Sequence, residues 1–136
     1  MTIAGIEPMS VFWSAVGGFL VGGFWYGALS RAWLDAVGLT EEQIKGRPNA
    51  VPFLIAFLGN LVIGFGLAVL IRTTGQASLS SGAMLGALVC AGFVLSTLAV
   101  NHSFQNARRV LTLIDGGHWL GVFIVQGAML GWLMAG

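Results

Sequence analysis

Both histidines of the chain, His102 and His118, lie in one polar stretch, NHSFQNARRVLTLIDGGHWL (residues 101–120). Asp115 precedes His118 by three positions, which places their side chains on one face of a helix. Imidazole and carboxylate groups bind metal ions, and imidazole also relays protons near neutral pH. A tight connection between two helices would bring His102 to the same depth as the other two. These three residues are therefore the first candidates for chemistry.

The same stretch also has a structural interpretation. Three ligand-type side chains are few for a metal site, and neither a Glu-x-x-His nor a His-x-x-x-His pattern occurs. Asp115 follows Arg108 by seven residues, so an ion pair between them would make the stretch a polar boundary between two helices. We favour this interpretation, and we expect no metal, haem or other cofactor.

Two amides, Asn60 and Gln126, lie near the middle of apolar runs. A polar group without a partner is costly in hydrocarbon, so such residues are functional candidates by default. A hydrogen bond between helices, worth about 1 kcal/mol, would explain them without any function. The alternative is a polar point on a solute path. FLGN (residues 57–60) and FIVQ (residues 123–126) are also weakly similar, which hints at a parallel repeat.

The composition identifies the class of protein to which these residues belong. Of 136 residues, 57% are hydrophobic and only 8% are charged, against about a quarter charged in soluble domains. The formal net charge of +1 does not favour a nucleic-acid partner, because that affinity comes from neutralising many phosphates. The single cysteine, Cys90, rules out a disulfide within the chain. The expected environment is the lipid bilayer.

Four segments are long and apolar enough to cross about 30 Å of hydrocarbon. They cover residues 9–30, 51–71, 80–100 and 116–135. We therefore predict an all-α integral membrane protein, a four-transmembrane-helix bundle that forms a single domain over the whole chain. The first apolar run is preceded by Glu7 and by no Lys or Arg, unlike a secretory signal, so we expect it to remain in the mature protein.

Several residues predict where these helices begin. Pro8 and Pro52 stand at first turns, where a missing N–H group costs nothing. Ser78 and Ser80 are suitable N-caps for the third segment. The spans should therefore begin close to these residues.

The first connection has structure of its own. Helical spacing continues through residues 33–37 until Gly38, which predicts that the first helix projects beyond the bilayer. The sequence TEEQ (residues 40–43) then matches a capping box and predicts a short surface helix that ends at Gly46 and Pro48.

Basic residues predict the orientation, because cytoplasmic loops are enriched in Lys and Arg. Five such residues fall in the first and third connections and one in the second: Arg31, Lys45, Arg47, Arg108 and Arg109 against Arg72. Both termini should therefore lie outside. Aromatic residues agree with two interfacial belts: Trp13 and Trp132 on the outer side, and Trp25, Tyr26, Trp33 and Trp119 on the inner side.

Small residues recur at spacings of four, which allows helices to approach closely in lipid. The main runs are Ser14-Gly18-Gly22, Gly23-Gly27, Gly82-Gly86-Cys90, Gly117-Gly121 and Gly127-Gly131. Packing within the bundle explains most of them, and the same motifs also serve contacts between copies of a chain.

Two segments resemble a known family. FWYGALSRAWLDAVGLTEE (residues 24–42) and LIDGGHWLGVFIVQGAMLGWL (residues 113–133) resemble the first and last helices of a bacterial membrane protein family, domain of unknown function 1761. This chain departs from that pattern at Gly117, where an aromatic residue is expected, and at Gly27, where Ser is common. The family has no established activity, so the resemblance implies no catalytic role.

The resemblance does imply a patch at the cytoplasmic ends of the helices. It would consist of Trp25, Tyr26, Trp33, Asn101, Asp115 and His118, and His102 joins it because it should lie at the same depth. We call these seven residues the boundary patch.

Three functions compete for these observations. The favoured one is a non-enzymatic protein of the bacterial cytoplasmic (inner) membrane that crosses it several times. It would act as a homo-oligomer or as an accessory subunit of a membrane complex. The alternative is a small-solute or ion transporter that uses the polar residues between the helices. Four-helix drug exporters have this size but rely on a membrane-embedded Glu in the first helix, and none is present here. A membrane enzyme or metal protein is the third possibility.

Overall fold

Four long helices dominate the computed structural model, which describes residues 1–46 and 49–136. Each is long and apolar enough to cross a membrane, which confirms the predicted fold class. We call them the first to fourth membrane helices: Pro8–Ala28, Val51–Thr74, Leu79–Phe104 and Arg109–Leu133. The third is α-helical over Leu79–Val89 and Ser96–Phe104, with a π-helical segment, Cys90–Leu95, between them.

The predicted starts of the first three membrane helices are close to the observed ones. Proline occupies the first turn of the first and second helices, as expected from Pro8 and Pro52. The third helix is capped by Ser78, whose Oγ accepts a hydrogen bond from the Ser81 N–H at 3.1 Å. Ser80 is not the cap, because it already lies within the first helical turn.

The first connection contains two short helices, Ser30–Val37 and Glu41–Lys45. The first of them follows the first membrane helix almost directly and ends at Gly38, whose φ of 76° is in the left-handed region that glycine tolerates best. The second begins with the predicted capping box, in which Thr40 and Gln43 exchange side-chain and backbone hydrogen bonds. Arg47 and Pro48, which contributed to the predicted orientation and helix end, lie outside the described residues.

The prediction for the start of the last helix is wrong, because this helix begins at Arg109 rather than at residue 116. The connection before it is very short, and Asn106 turns the chain with a φ of 53°, a conformation that Asn adopts more readily than most residues. Hydropathy marks where hydrocarbon begins, whereas a helix can start earlier in the polar boundary. Asp115 and His118 therefore lie about two turns inside the helix.

The first, second and fourth membrane helices pack against one another and form the core. In the fourth helix 44% of the most apolar window is buried, against 11% in the third. The third helix therefore lies at the edge of this core, attached mainly to the fourth. The chain is a four-helix bundle in which the third helix contributes less to the core than the others, chiefly through the fully buried Cys90.

Glycines join the third helix to the fourth. A Cβ atom at Gly82 would meet the Gly127 carbonyl, and a Cβ atom at Gly86 would meet the Phe123 carbonyl. In the reverse direction, Gly131 lies against the Ser78 carbonyl. The two backbones are therefore in direct contact, as the small-residue spacing predicted.

Two long-range contacts show which connections share a side. Arg108 Nη1 donates to the Asp35 carbonyl at 3.0 Å, which joins the third connection to the first. Arg72 donates to the Gly5 carbonyl, which joins the second connection to the N-terminal segment. The grouping of basic residues used for orientation is therefore consistent with the fold.

Candidate functional site

Tyr26 is the centre of the boundary patch. Its hydroxyl donates to Asp115 Oδ1 at 2.7 Å, a bond between the first and fourth membrane helices. Its ring lies edge-on to Trp33 with 6.2 Å between ring centroids, and 4.8 Å from the imidazole of His118. Four of the seven predicted residues are thus in one cluster.

Trp25, one position earlier, contacts the fourth helix on the neighbouring face. Its Nε1 donates to the Ile114 carbonyl at 2.8 Å. Its ring covers Gly117 so closely that any side chain there would collide with it. In this chain the indole of the first helix therefore occupies the space above the position where the family resemblance predicted an aromatic residue.

His102 approaches the cluster from the third helix. Its Nδ1 is 2.9 Å from the hydroxyl of Thr112, and its Nε2 is 4.0 Å from Asp115 Oδ2. The side chains of His102 and Asp115 are only 12% and 20% exposed, so the pair lies near the surface without being fully solvated. This geometry agrees with the prediction that His102 and Asp115 lie at the same depth in the membrane.

One contact expected at the patch is wrong, and one patch residue stays outside the cluster. Asp115 does not pair with Arg108, because Arg108 precedes the helix with an extended backbone and reaches the Asp35 carbonyl instead. Asn101 is exposed, and its side chain makes no hydrogen bond among the described residues. Its membership of the patch stays a prediction.

His118 is the most buried titratable residue of the patch, with 8% of its surface exposed. Its ring also stacks edge-on with Trp119, at 4.7 Å between centroids. Its Nε2 lies 3.1 Å from the point where Gly22 would carry a Cβ atom, so the absence of a side chain at Gly22 makes room for it. Among the residues that the structure describes, no group bonds to its Nδ1.

The two candidate intramembrane amides bond to each other; the sequence predicted a hydrogen bond between helices but not this pairing. Gln126 Nε2 donates to Asn60 Oδ1 at 2.7 Å, and Asn60 Nδ2 donates to the Ala56 carbonyl at 2.8 Å. Both side chains are buried. Gly18 faces the bonded atoms, and a Cβ atom there would collide with both of them.

A serine adds to this pair, and neither it nor the surrounding glycines was singled out as functional from the sequence. Ser14 is fully buried and donates to the Val11 carbonyl at 2.8 Å. Its Oγ and Gln126 Oε1 each lie 2.8 Å from the point where Gly64 would carry a Cβ atom. The four-residue spacing of small residues along the first helix was the sequence signal that could have identified Ser14. Thr112, which bonds to His102 from the fourth helix, has no such signal.

These groups favour hydrogen-bond and proton chemistry over metal binding. Within residues 1–46 and 49–136, no three His, Cys, Asp or Glu side chains are close enough to hold a metal ion. The cluster instead links phenol, carboxylate and imidazole groups, each of which donates or accepts a proton.

The comparison with known families agrees with the resemblance found in the sequence. The profile described as Protein of unknown function (DUF1761) matches residues 9–131. The chain belongs to this family. In this DUF1761 protein the matched region contains all four membrane helices and every residue of the boundary patch. No curated protein and no solved structure matches the chain.

Proposed function

We propose that this protein is a non-enzymatic, multi-pass component of the bacterial inner membrane that acts through helix contacts within the bilayer. Its partner would be a second copy of itself or another membrane subunit, and not a nucleic acid. The observation that carries this proposal is an outward pair of glycines, Gly23 and Gly27, on the first membrane helix.

Neither of these two glycines makes room for another residue among those that the structure describes. Within residues 1–46 and 49–136, a Cβ atom at either position would meet nothing within 4 Å, and the same holds for Gly59, Gly66 and Gly92. A glycine inside a helix costs about 1 kcal/mol relative to alanine. At inward positions such as Gly18 that cost is offset by close packing, but the outward pair gains nothing from its own chain. A second helix approaching this face would gain the close backbone contact that small residues allow.

Native mass spectrometry of the protein, extracted gently from native membranes in mild detergent, tests this proposal. The unmodified protein should appear as an oligomer or with a co-purified membrane subunit. The double variant Gly23→Leu/Gly27→Leu should lose the partner, because leucine holds the helices apart. Gly59→Leu/Gly66→Leu is the matched control, with two equal changes at outward positions of the second helix, and should keep it.

Two results would overturn the proposal. One is an unmodified protein that is monomeric and retains no partner under these conditions. The other is a control double variant that dissociates as fully as the test variant, since the contact could not then be assigned to Gly23 and Gly27.

A further inference from the structure

Two buried polar atoms in the core have no partner among the described residues: His118 Nδ1 and Gln126 Oε1. Leaving one such atom unpaired costs about 1–3 kcal/mol. Buried water molecules commonly bond to polar groups that lack protein partners and so remove this cost. Both side chains lie against the first membrane helix: the His118 ring approaches Gly22 through Nε2, and Gln126 approaches Gly18 through Nε2.

Polar residues and glycines form one stripe along most of the first membrane helix. Its members are four residues apart and face the core: Ser10, Ser14, Gly18, Gly22 and Tyr26. At 1.5 Å per residue, this stripe is about 24 Å long. It therefore crosses most of the hydrocarbon layer of about 30 Å.

At one end of the stripe the polar groups reach the carboxylate of Glu7. The Ser10 hydroxyl lies 3.5 Å from Glu7 Oε2. One turn further in, Ser14 Oγ and Gln126 Oε1 are at most about 5.6 Å apart, because each is 2.8 Å from the same point beside Gly64. A single water molecule can bridge two oxygen atoms at such a separation. Asn60 holds the amide of Gln126 in place from the second helix.

At the other end of the stripe, a series of side chains in contact leads to the opposite surface. His118 contacts Tyr26, Tyr26 bonds to Asp115, and Asp115 lies 4.0 Å from His102. The titratable side chains around His118 are thus Tyr26 from the first helix, Asp115 from its own helix and His102 from the third.

One apolar gap separates the two halves. The amide of Gln126 lies against Gly18 and the imidazole of His118 against Gly22, positions about 6 Å apart along the first helix. On the fourth helix, Val122 lies midway between His118 and Gln126 and is fully buried. Two glycines on one side and one valine on the other therefore line the segment between the two halves.

We propose that this column is a proton path across the membrane, completed by a line of buried water between His118 and Gln126. His118 accepts a proton on one ring nitrogen and releases one from the other, so its charge is unchanged after each transfer. The amides do not carry the proton; they orient the water that does. Ser14, Ser10 and Glu7 continue the path on the far side. The proton is thus the ion that the transporter alternative would move. The path lies within one copy of the chain, so it does not depend on whether the protein is a monomer or an oligomer.

The test is proton flux into vesicles of phosphatidylethanolamine and phosphatidylglycerol that contain the purified protein and a trapped pH-sensitive dye. A potassium gradient with valinomycin supplies the driving voltage. We expect flux at least fivefold above protein-free vesicles. His118→Leu and Gln126→Leu should bring it to within twofold of that background, and Val122→Ala should raise it severalfold by widening the gap.

Thr97→Val is the matched control. It also replaces a polar membrane residue by an apolar one, but Thr97 is exposed on the third helix and its hydroxyl bonds only to that helix, so flux should not change. The proposal is overturned if the unmodified protein gives background flux, or if flux is insensitive to His118→Leu. If the His118 and Gln126 variants fail to insert, the Val122→Ala measurement decides: an increase supports the path, and an unchanged flux contradicts it.

Discussion

Replacing Gly18 by alanine should destabilise the protein, whereas the same change at Gly23, five residues further along the same helix, should not. The new methyl group at Gly18 would collide with Asn60 Oδ1 and Gln126 Nε2, the two atoms that bond to each other in the core. At Gly23 the methyl group would meet no described residue within 4 Å. The two substitutions are chemically identical, so the difference between them isolates the packing.

The expected magnitudes follow from these contacts. Losing the bond between the amides costs about 0.5–1.5 kcal/mol, and leaving an amide atom unpaired costs about 1–3 kcal/mol. Alanine returns up to about 1 kcal/mol of helix propensity at either position. Gly18→Ala should therefore lower the free energy of unfolding by about 2 kcal/mol. Gly23→Ala should leave it unchanged or raise it by up to about 1 kcal/mol.

Reversible unfolding in mixed micelles, with the proportion of denaturing detergent increased stepwise, measures both values. Tryptophan fluorescence reports the transition, because Trp25 and Trp119 lie against the fourth helix or within it. The reasoning is refuted if Gly18→Ala is as stable as Gly23→Ala, since the amide pair would then not fill the space beside Gly18.

Three further outcomes are expected. Tyr26→Phe removes the hydroxyl that donates to Asp115 and should cost about 1 kcal/mol in the same unfolding assay; an unchanged value would contradict the bond. Gly86→Ala should push the third helix away from the Phe123 carbonyl, cost about 1–3 kcal/mol and make buried Cys90 reactive to maleimide, whereas Gly92→Ala should do neither. For orientation, a membrane-impermeant maleimide applied to intact cells should label Thr2→Cys but not Gln105→Cys, both in a Cys90→Ala background; the reverse pattern would invert the proposed orientation.

Local signals in the sequence were sufficient to predict most of the helices and their capping residues. Thr40 and Ser78 cap the helices predicted from them because capping depends only on the next few residues. The start of the fourth membrane helix was missed because its prediction rested on the length of an apolar span and not on a capping residue. Residues 110–114 (VLTLI) are mostly apolar, but the charged Arg109 and Asp115 flank them, and residues 116–135 already supply the about 20 residues that a span needs.

The candidate site was harder to predict, because it depends on which helix faces which. The sequence identified Asn60 and Gln126 separately, but their bond joins residues 66 positions apart. Asn101 was included through the family resemblance, and a sequence pattern does not determine the side of a helix from which a residue projects. The contributions of Ser14, Gly22 and Gly64 became visible only when three helices were packed together.

The most direct test of the central claim is an experimental structure of the protein in a lipid environment, at a resolution that shows ordered water. We expect water within about 2.7–3.2 Å of both Gln126 Oε1 and His118 Nδ1, with further water beside Val122. A dry, close-packed gap, with both atoms bonded to protein groups, would contradict it.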